Sequence, residues 1–408
     1  MLDALLREHV QTPTRLVMGV PDEQAIANAT RRHTEQYSQM VFLQEELDWQ
    51  CYQSYGLLSA SLTLPEGTVI PLHLGERAFE IALARRMAAG EVQTTWFERH
   101  GSTPITELPS HWPADYRALV ERRLKAIEEN PNIRLIEQPE YKRRWNLPSW
   151  EDQLQDALRG WLLRRLEDAR YWPTPQVTSA ARLADRLRDD AEFLQVAELY
   201  RGRADFDLTK LVSELVLDEG VPYLSAFRYN DAGRRKREVW EQTWDLQRKE
   251  DAGQQVGDIP VPPKYASADF QKQSYWRLRG KLDVPKETFI LYPGAEREAD
   301  PTPVFGWAGW DHKQQSEALV LYFQEMQGKE GWNAERLAPL LVGLFELLPW
   351  LKQWHNEKGP GGRGVADDYE QFLHDEARSL GLGIDDLKSW APAKKTGRGR
   401  GRKAAHAE

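Results

Sequence analysis

The chain has 408 residues, with 54 Lys+Arg against 63 Asp+Glu, a net charge of −9, and 41% hydrophobic residues. Its mean hydropathy is −0.66, and no run approaches the roughly 18 apolar residues that span a bilayer, so a membrane-embedded chain is excluded. One cysteine, Cys51, rules out an internal disulfide framework and a cysteine-built zinc site. The length predicts about two to three domains. Residues 1–8 lack a basic segment and a long apolar run, so no secretory signal is read there and a cytoplasmic location is expected.

Helical signals dominate from the start. Residues 22–56 carry Tyr37, Met40, Val41, Leu43, Leu47 and Tyr55 in a rhythm near 3.6 residues, with Gly56 as the stop. Turn residues 64–68 lead into a strand-like stretch, Val69-Ile70-Pro71-Leu72. A helix is predicted from about Glu76 to Ala89, ending at Gly90, and another from Pro113 through Tyr116, Leu119, Leu124 and Ile127 to Asn130-Pro131. Ser149, with Asp152 three residues on, marks a helix start. Leu154, Ala157, Leu158, Trp161, Leu162 and Leu166 form its apolar stripe, and Pro173 and Pro175 end the block.

Further helices are predicted at 178–200 and 207–218. Between 218 and 300, Gly and Pro break the pattern, and a short strand is predicted at 288–292. A last helical region, 311–356, holds a leucine-rich segment, with Glu346 and Pro349 as interruptions. The predicted fold is mainly α: a multi-helix scaffold with a few short strands in the 60–75 and 285–295 regions and a disordered basic tail. The expected division is a helical segment over 1–60, a helical domain over 61–175, a second over 176–390 with an irregular 218–300 region, and the tail at 391–408.

The chain lacks the usual signs of a catalytic centre. Its one glycine cluster, 359–364, follows a helix and reads as a surface loop, and no P-loop pattern occurs. An amino-group methyltransferase needs an Asp/Asn-Pro-Pro-aromatic loop to hold its target nitrogen and stack on the base. Asn130-Pro131-Asn132-Ile133 has neither the second proline nor the aromatic. Asp115, Glu140 and Lys142 have the residue types of a Mg²⁺-dependent nuclease, but such triples arise often by chance. No catalytic residue and no metal ligand is assigned. The 16 Trp are expected mainly in packing, with stacking on nucleic-acid bases as the alternative for some.

Three basic features remain. Lys142-Arg143-Arg144 abuts Trp145, and Arg234-Arg235-Lys236-Arg237 opens a helix that continues through Trp240 and Trp244. Such clusters can grip phosphates without reading sequence; otherwise they are solvated faces paired with nearby acids. The tail alternates Gly with Arg398, Arg400 and Arg402, followed by Lys403, and resembles an AT-hook without its stiffening proline. Residues 392–408 hold six of the basic residues and one acid, leaving 48 basic and 62 acidic residues and a body charge of −14. Such a body repels polyanions at long range, so DNA contact needs local patches or the tail.

Several long strings occur in order along the chain: Met40 to Trp49, His111 to Arg117, Pro139 to Trp145, Tyr292 to Arg297, Gly306 to His312, and Leu348 to Asn356. Over roughly 30–390 they resemble the C-terminal part of the PglX family, the adenine-specific DNA methyltransferases of BREX phage-defence systems, particularly the type 2 (Pgl-like) branch. The resemblance implies a module detached from the family's methyltransferase core, which would lie upstream of residue 1. S-adenosylmethionine is then expected only in that core, with no cofactor in this chain. Implied partners are double-stranded DNA, the methyltransferase core and other BREX proteins. The expected function is a non-catalytic C-terminal module that holds DNA or assembles the complex; the alternative is an autonomous protein-interaction scaffold for defence components.

Overall fold

The computed structural model describes residues 12–145, 148–279, 285–358 and 362–392. The tail residues Arg398, Arg400, Arg402 and Lys403 lie outside the described residues. Helices dominate as expected: among the described residues there are 17 α-helices beside one sheet of four short strands. The chain divides into two compact units, Met1–Trp161 and Leu162–Glu408.

In the first unit the helix Glu23–Ser54 starts where Asp22 accepts from the Ala25 amide at 2.7 Å. Its inward stripe is Ser38, Val41, Phe42, Glu45 and Trp49, while Leu47 and Tyr55 are exposed. The apolar rhythm therefore locates the helix but misplaces part of its buried face, because a carboxylate, Glu45, takes a core position. Around this stripe pack the helices Ala78–Ala88 and Ala114–Glu129, with Ile81, Tyr116, Leu119, Val120 and Ile127 in one apolar core. Asn130 does more than stop a helix. Its side chain accepts from the amides of Asn132 and Ile133, and so starts the helix Pro131–Ile136.

One local expectation needs correction: residues 69–72 form no strand. Leu72 donates its amide to the Ser38 carbonyl of the long helix at 3.3 Å. Pro65 and Pro71 cannot donate to a ladder, and burial of Ile70 and Leu72 in the core holds the segment instead.

In the second unit the strands are β1 (Thr178–Ser179), β2 (Gly220–Pro222), β3 (Phe289–Leu291) and β4 (Val304–Trp307), in the order β1-β4-β3-β2. β4 runs antiparallel to β1 and β3, with Ile290 opposite Gly306; β2 runs parallel to β3. Almost every strand residue is buried. Gly306 is required by close approach, since a Cβ there would stand 2.4 Å from the Trp310 ring.

The helices Ala180–Leu187, Ala191–Arg201 and Leu208–Asp218 are each capped by an acid or hydroxyl: Ser179, Asp190 and Asp207. The helix Ala334–Trp354 runs on through Pro339 and Pro349 and buries Leu337, Leu340, Leu341, Leu344, Leu348 and Leu351. Glu346, within it, accepts from the Ser225 hydroxyl at 2.6 Å and pairs with Arg237 at 3.0 Å. The helix Asp231–Asp251 starts at Asn230, whose side chain accepts from Ala232 and Gly233, and it buries only Gly233 and Thr243. No helix among the described residues is long and apolar enough to cross a membrane.

Candidate nucleic-acid interface

The basic run at 142–144 splits by burial. Lys142 is buried, its ammonium taken by Glu137, by Asp48 at 2.9 Å and by the Tyr52 hydroxyl at 2.9 Å. Burial alone would lower its pKa, but Glu137, Glu45 and Asp48 outweigh it and hold the ammonium charged. Burial pushes the Glu137 carboxyl up to about 7, against the pull of Lys142. Arg143 and Arg144 are exposed, and the Arg143 guanidinium lies 4.9 Å from the Trp145 ring centroid. Trp145 itself is buried and meets Tyr37 edge-on at 5.4 Å. The segment thus presents two arginines to solvent and anchors itself with the lysine and the tryptophan.

The same unit buries further charge. Arg123 reaches Glu46 at 2.5 Å and Glu45 at 3.6 Å and donates to the Leu62 carbonyl. Arg77 pairs with Glu80 at 2.8 Å, and Glu80 also accepts from Trp96 Nε1. Buried charge this densely paired organises packing, and removing a single partner strands another. Sequence reasoning missed this network because Arg123 meets Glu45 and Glu46, and Lys142 meets Asp48, across long stretches of chain, and because the local pairs Arg77–Glu80 and Glu137–Lys142 read as ordinary solvated charges. The one local sign is Glu45 interrupting an apolar stripe.

The basic run at 234–237 also divides. Arg234 pairs with Asp231 one turn back, Lys236 with Asp269 at 2.7 Å, and Arg237 with Glu241 at 2.7 Å as well as Glu346. Arg235 is exposed and makes no ion pair among the described residues. The helix spacing puts Lys236, Arg237, Trp240, Trp244 and Arg248 along one stripe and Arg235 on the far side.

On that stripe Trp240 stacks near Trp244 at 6.4 Å, and Trp244 meets Trp350 edge-on at 5.7 Å. His312 stacks on Trp350 at 5.7 Å and lies 6.2 Å from His355. The Arg248 guanidinium sits 5.3 Å from the Trp350 ring centroid and donates to Gln353 Oε1 at 3.0 Å. The spacing Trp240-Trp244-Arg248, each four apart, was the signal available in the sequence; the parts played by Trp350 and the histidines were not, since they come from other helices.

The nuclease triple gains no support in this geometry. Asp115 is exposed and accepts from its neighbour's amide, Glu140 is exposed, and the Lys142 ammonium belongs to the buried cluster. No group of three or more His, Cys, Asp or Glu side chains suited to a metal ion occurs among the described residues.

Comparison with known proteins agrees with the resemblance read from the strings. The chain is 48% identical over 417 residues to the adenine-specific methyltransferase PglX of Streptomyces coelicolor (strain ATCC BAA-471 / A3(2) / M145). The match covers 98% of this chain and 34% of that protein, so the chain spans about a third of its relative's length. No solved structure matches. Residues 40–404 match the family described as a domain of unknown function, DUF7008, and the chain belongs to that family.

Proposed function

We propose that this chain is a non-catalytic C-terminal module of a BREX phage-defence adenine-specific DNA methyltransferase, one that holds double-stranded DNA for a separate methyltransferase core. The similarity to PglX supports the parent protein, and the match to only 34% of it supports a part rather than the whole. The observation that carries the DNA-holding role is the exposure of Arg143, Arg144 and Arg235, none of which is spent on an ion pair among the described residues. Guanidinium groups placed this way position a phosphate backbone without reading bases. Arg398, Arg400, Arg402 and Lys403 of the tail add positive charge for the same purpose.

The chemistry of transfer is assigned elsewhere. S-adenosylmethionine would bind the core, and the chain's contribution is affinity and placement. Other BREX proteins are the further partners of this reading, and a cytoplasmic location goes with it.

Salt dependence of duplex binding is the test. Neutralising phosphates releases counterions, so log K falls against log salt by about 0.9 per phosphate contacted. Arg143→Gln and Arg235→Gln should each weaken binding and reduce that slope by about 1. Binding that ignores both salt and these substitutions would replace the DNA-holding role with protein docking.

A further inference from the structure

The phosphate contacts proposed above rest on Arg143, Arg144, Arg235 and the tail, and leave the aromatic stripe of the second unit without a role. We infer that the face formed by Trp244, Trp350, Trp354 and His355 takes single-stranded DNA, stacking on its unpaired bases. The inference rests on the proposed function only for the choice of DNA over other single strands.

Three observations carry it. First, these rings are not core. The helix that bears Trp240 and Trp244 buries only Gly233 and Thr243, and Trp354 is 62% exposed. Trp354 follows Trp350 by four residues on the helix Ala334–Trp354, which puts both on one face. Second, the rings form a connected series across three helices, from Trp240 through Trp244 and Trp350 to His312 and His355, with neighbouring centroids 5.7–6.4 Å apart. A series of part-exposed rings suits successive bases, because every base offers a π-face and stacking tolerates any sequence.

Third, the charge around the rings suits a polyanion. Of the nearby acids, Glu241 and Glu346 hold Arg237 and Asp245 holds Lys249 at 2.7 Å, Asp311 caps its helix by accepting from the Gln314 amide, and Glu357 is exposed. Arg248, over the Trp350 ring, and the exposed Lys313, next to His312, form no ion pair among the described residues. A duplex cannot use such a face, since its bases are already stacked on one another. A partner protein would find arginine and lysine beside the rings and few free acids to meet them.

The experiment is fluorescence anisotropy of the full chain with three labelled probes. These are an oligo-dT of about 12 nucleotides, within the usual reach of a single-strand site, an abasic strand of equal length, and an oligo-U. Stacking predicts oligo-dT bound at least about tenfold tighter than the abasic strand, which carries the same phosphates. Trp354→Ala and Trp350→Ala should each cost about 5- to 150-fold on oligo-dT and leave the abasic strand unaffected. Trp354 is exposed, so its variant keeps the test valid if Trp350→Ala fails to fold.

Equal binding of the two DNA strands, or a preference that survives Trp354→Ala, would overturn the inference. Tighter binding of oligo-U than oligo-dT would overturn the choice of DNA. A duplex measured alongside separates the two readings. If it fails to bind while the oligo-dT preference persists, the arginine-based holding role falls and the stacking site stands. Duplex binding without that preference does the reverse.

Discussion

Lys142 shows how a residue that reads as a DNA contact can instead hold a fold together. Its ammonium sits among Glu137, Asp48 and Tyr52, and the Glu137 side chain is 0% exposed. Lys142→Met would leave the Glu137 carboxyl with only the Tyr52 hydroxyl, which donates to it at 2.5 Å. Breaking a buried pair from one side costs about 3–5 kcal/mol, and at about 2–4 °C per kcal/mol for a unit of this size the melting point should fall by roughly 6–20 °C.

The loss should also depend on pH. A carboxyl whose folded pKa is raised, here to about 7, stabilises the fold most below its unfolded value of about 4.3 and loses that contribution as pH rises through the folded value. Without the lysine the carboxyl rises further, so Lys142→Met should be more damaging at pH 8 than at pH 6. Lys142→Met with Glu137→Gln removes both buried charges and should recover most of the loss. Chemical denaturation followed by circular dichroism gives both numbers. A variant of unchanged stability with weakened duplex binding would refute the reasoning and return Lys142 to the DNA-contact set.

Other consequences are as direct. Asp190 accepts from Arg165 Nε at 2.6 Å, from the Tyr171 hydroxyl at 2.7 Å and from the Phe193 amide at 3.0 Å. The hydrogen bonds from Arg165, ahead of that from Tyr171, hold its carboxyl below the usual range despite burial. Its contribution is present above the unfolded value of about 3.9 and lost as pH falls toward the lower folded one. Acid titration of Asp190→Asn should therefore start from a fold weaker by about 1.5–3 kcal/mol and show a shallower acid loss than the parent. Gly306→Ala would push a Cβ to 2.4 Å from the Trp310 ring beside the central strands. It should cost about 1–3 kcal/mol by denaturation, and Trp310→Leu should partly relieve it. Calorimetry with S-adenosylmethionine should give no binding heat, and measurable binding would reassign the chain to the catalytic part.

What was legible in the chain was largely local. Ser149 does cap its helix, donated to by the Asp152 amide at 3.0 Å, and Gly90 adopts a positive φ of 76° just past the helix Ala78–Ala88. Caps and stops are written within four or five residues, so a sequence shows them. Asn130 was half-read, because one residue both follows one helix and caps the next. Glu45 and Lys142 were beyond local reading. The burial of Glu45 depends on Arg123 and that of Lys142 on Asp48, both brought in from distant segments, and hydrophobic periodicity does not register a charge satisfied by such a partner. The arginine runs had the same ambiguity: Arg235 and Arg237 look alike in the chain, and only folding gives Arg237 two carboxylates.

The central claim is that exposed arginines of this chain hold duplex DNA, and anisotropy of a labelled duplex at two salt concentrations tests it most directly. The parent chain should bind with a steep salt dependence, and Arg143→Gln with Arg235→Gln together should flatten the slope by about 2 while the fold stays intact by circular dichroism. Absence of duplex binding at the lower salt concentration, or a slope unchanged by the double substitution, would contradict it.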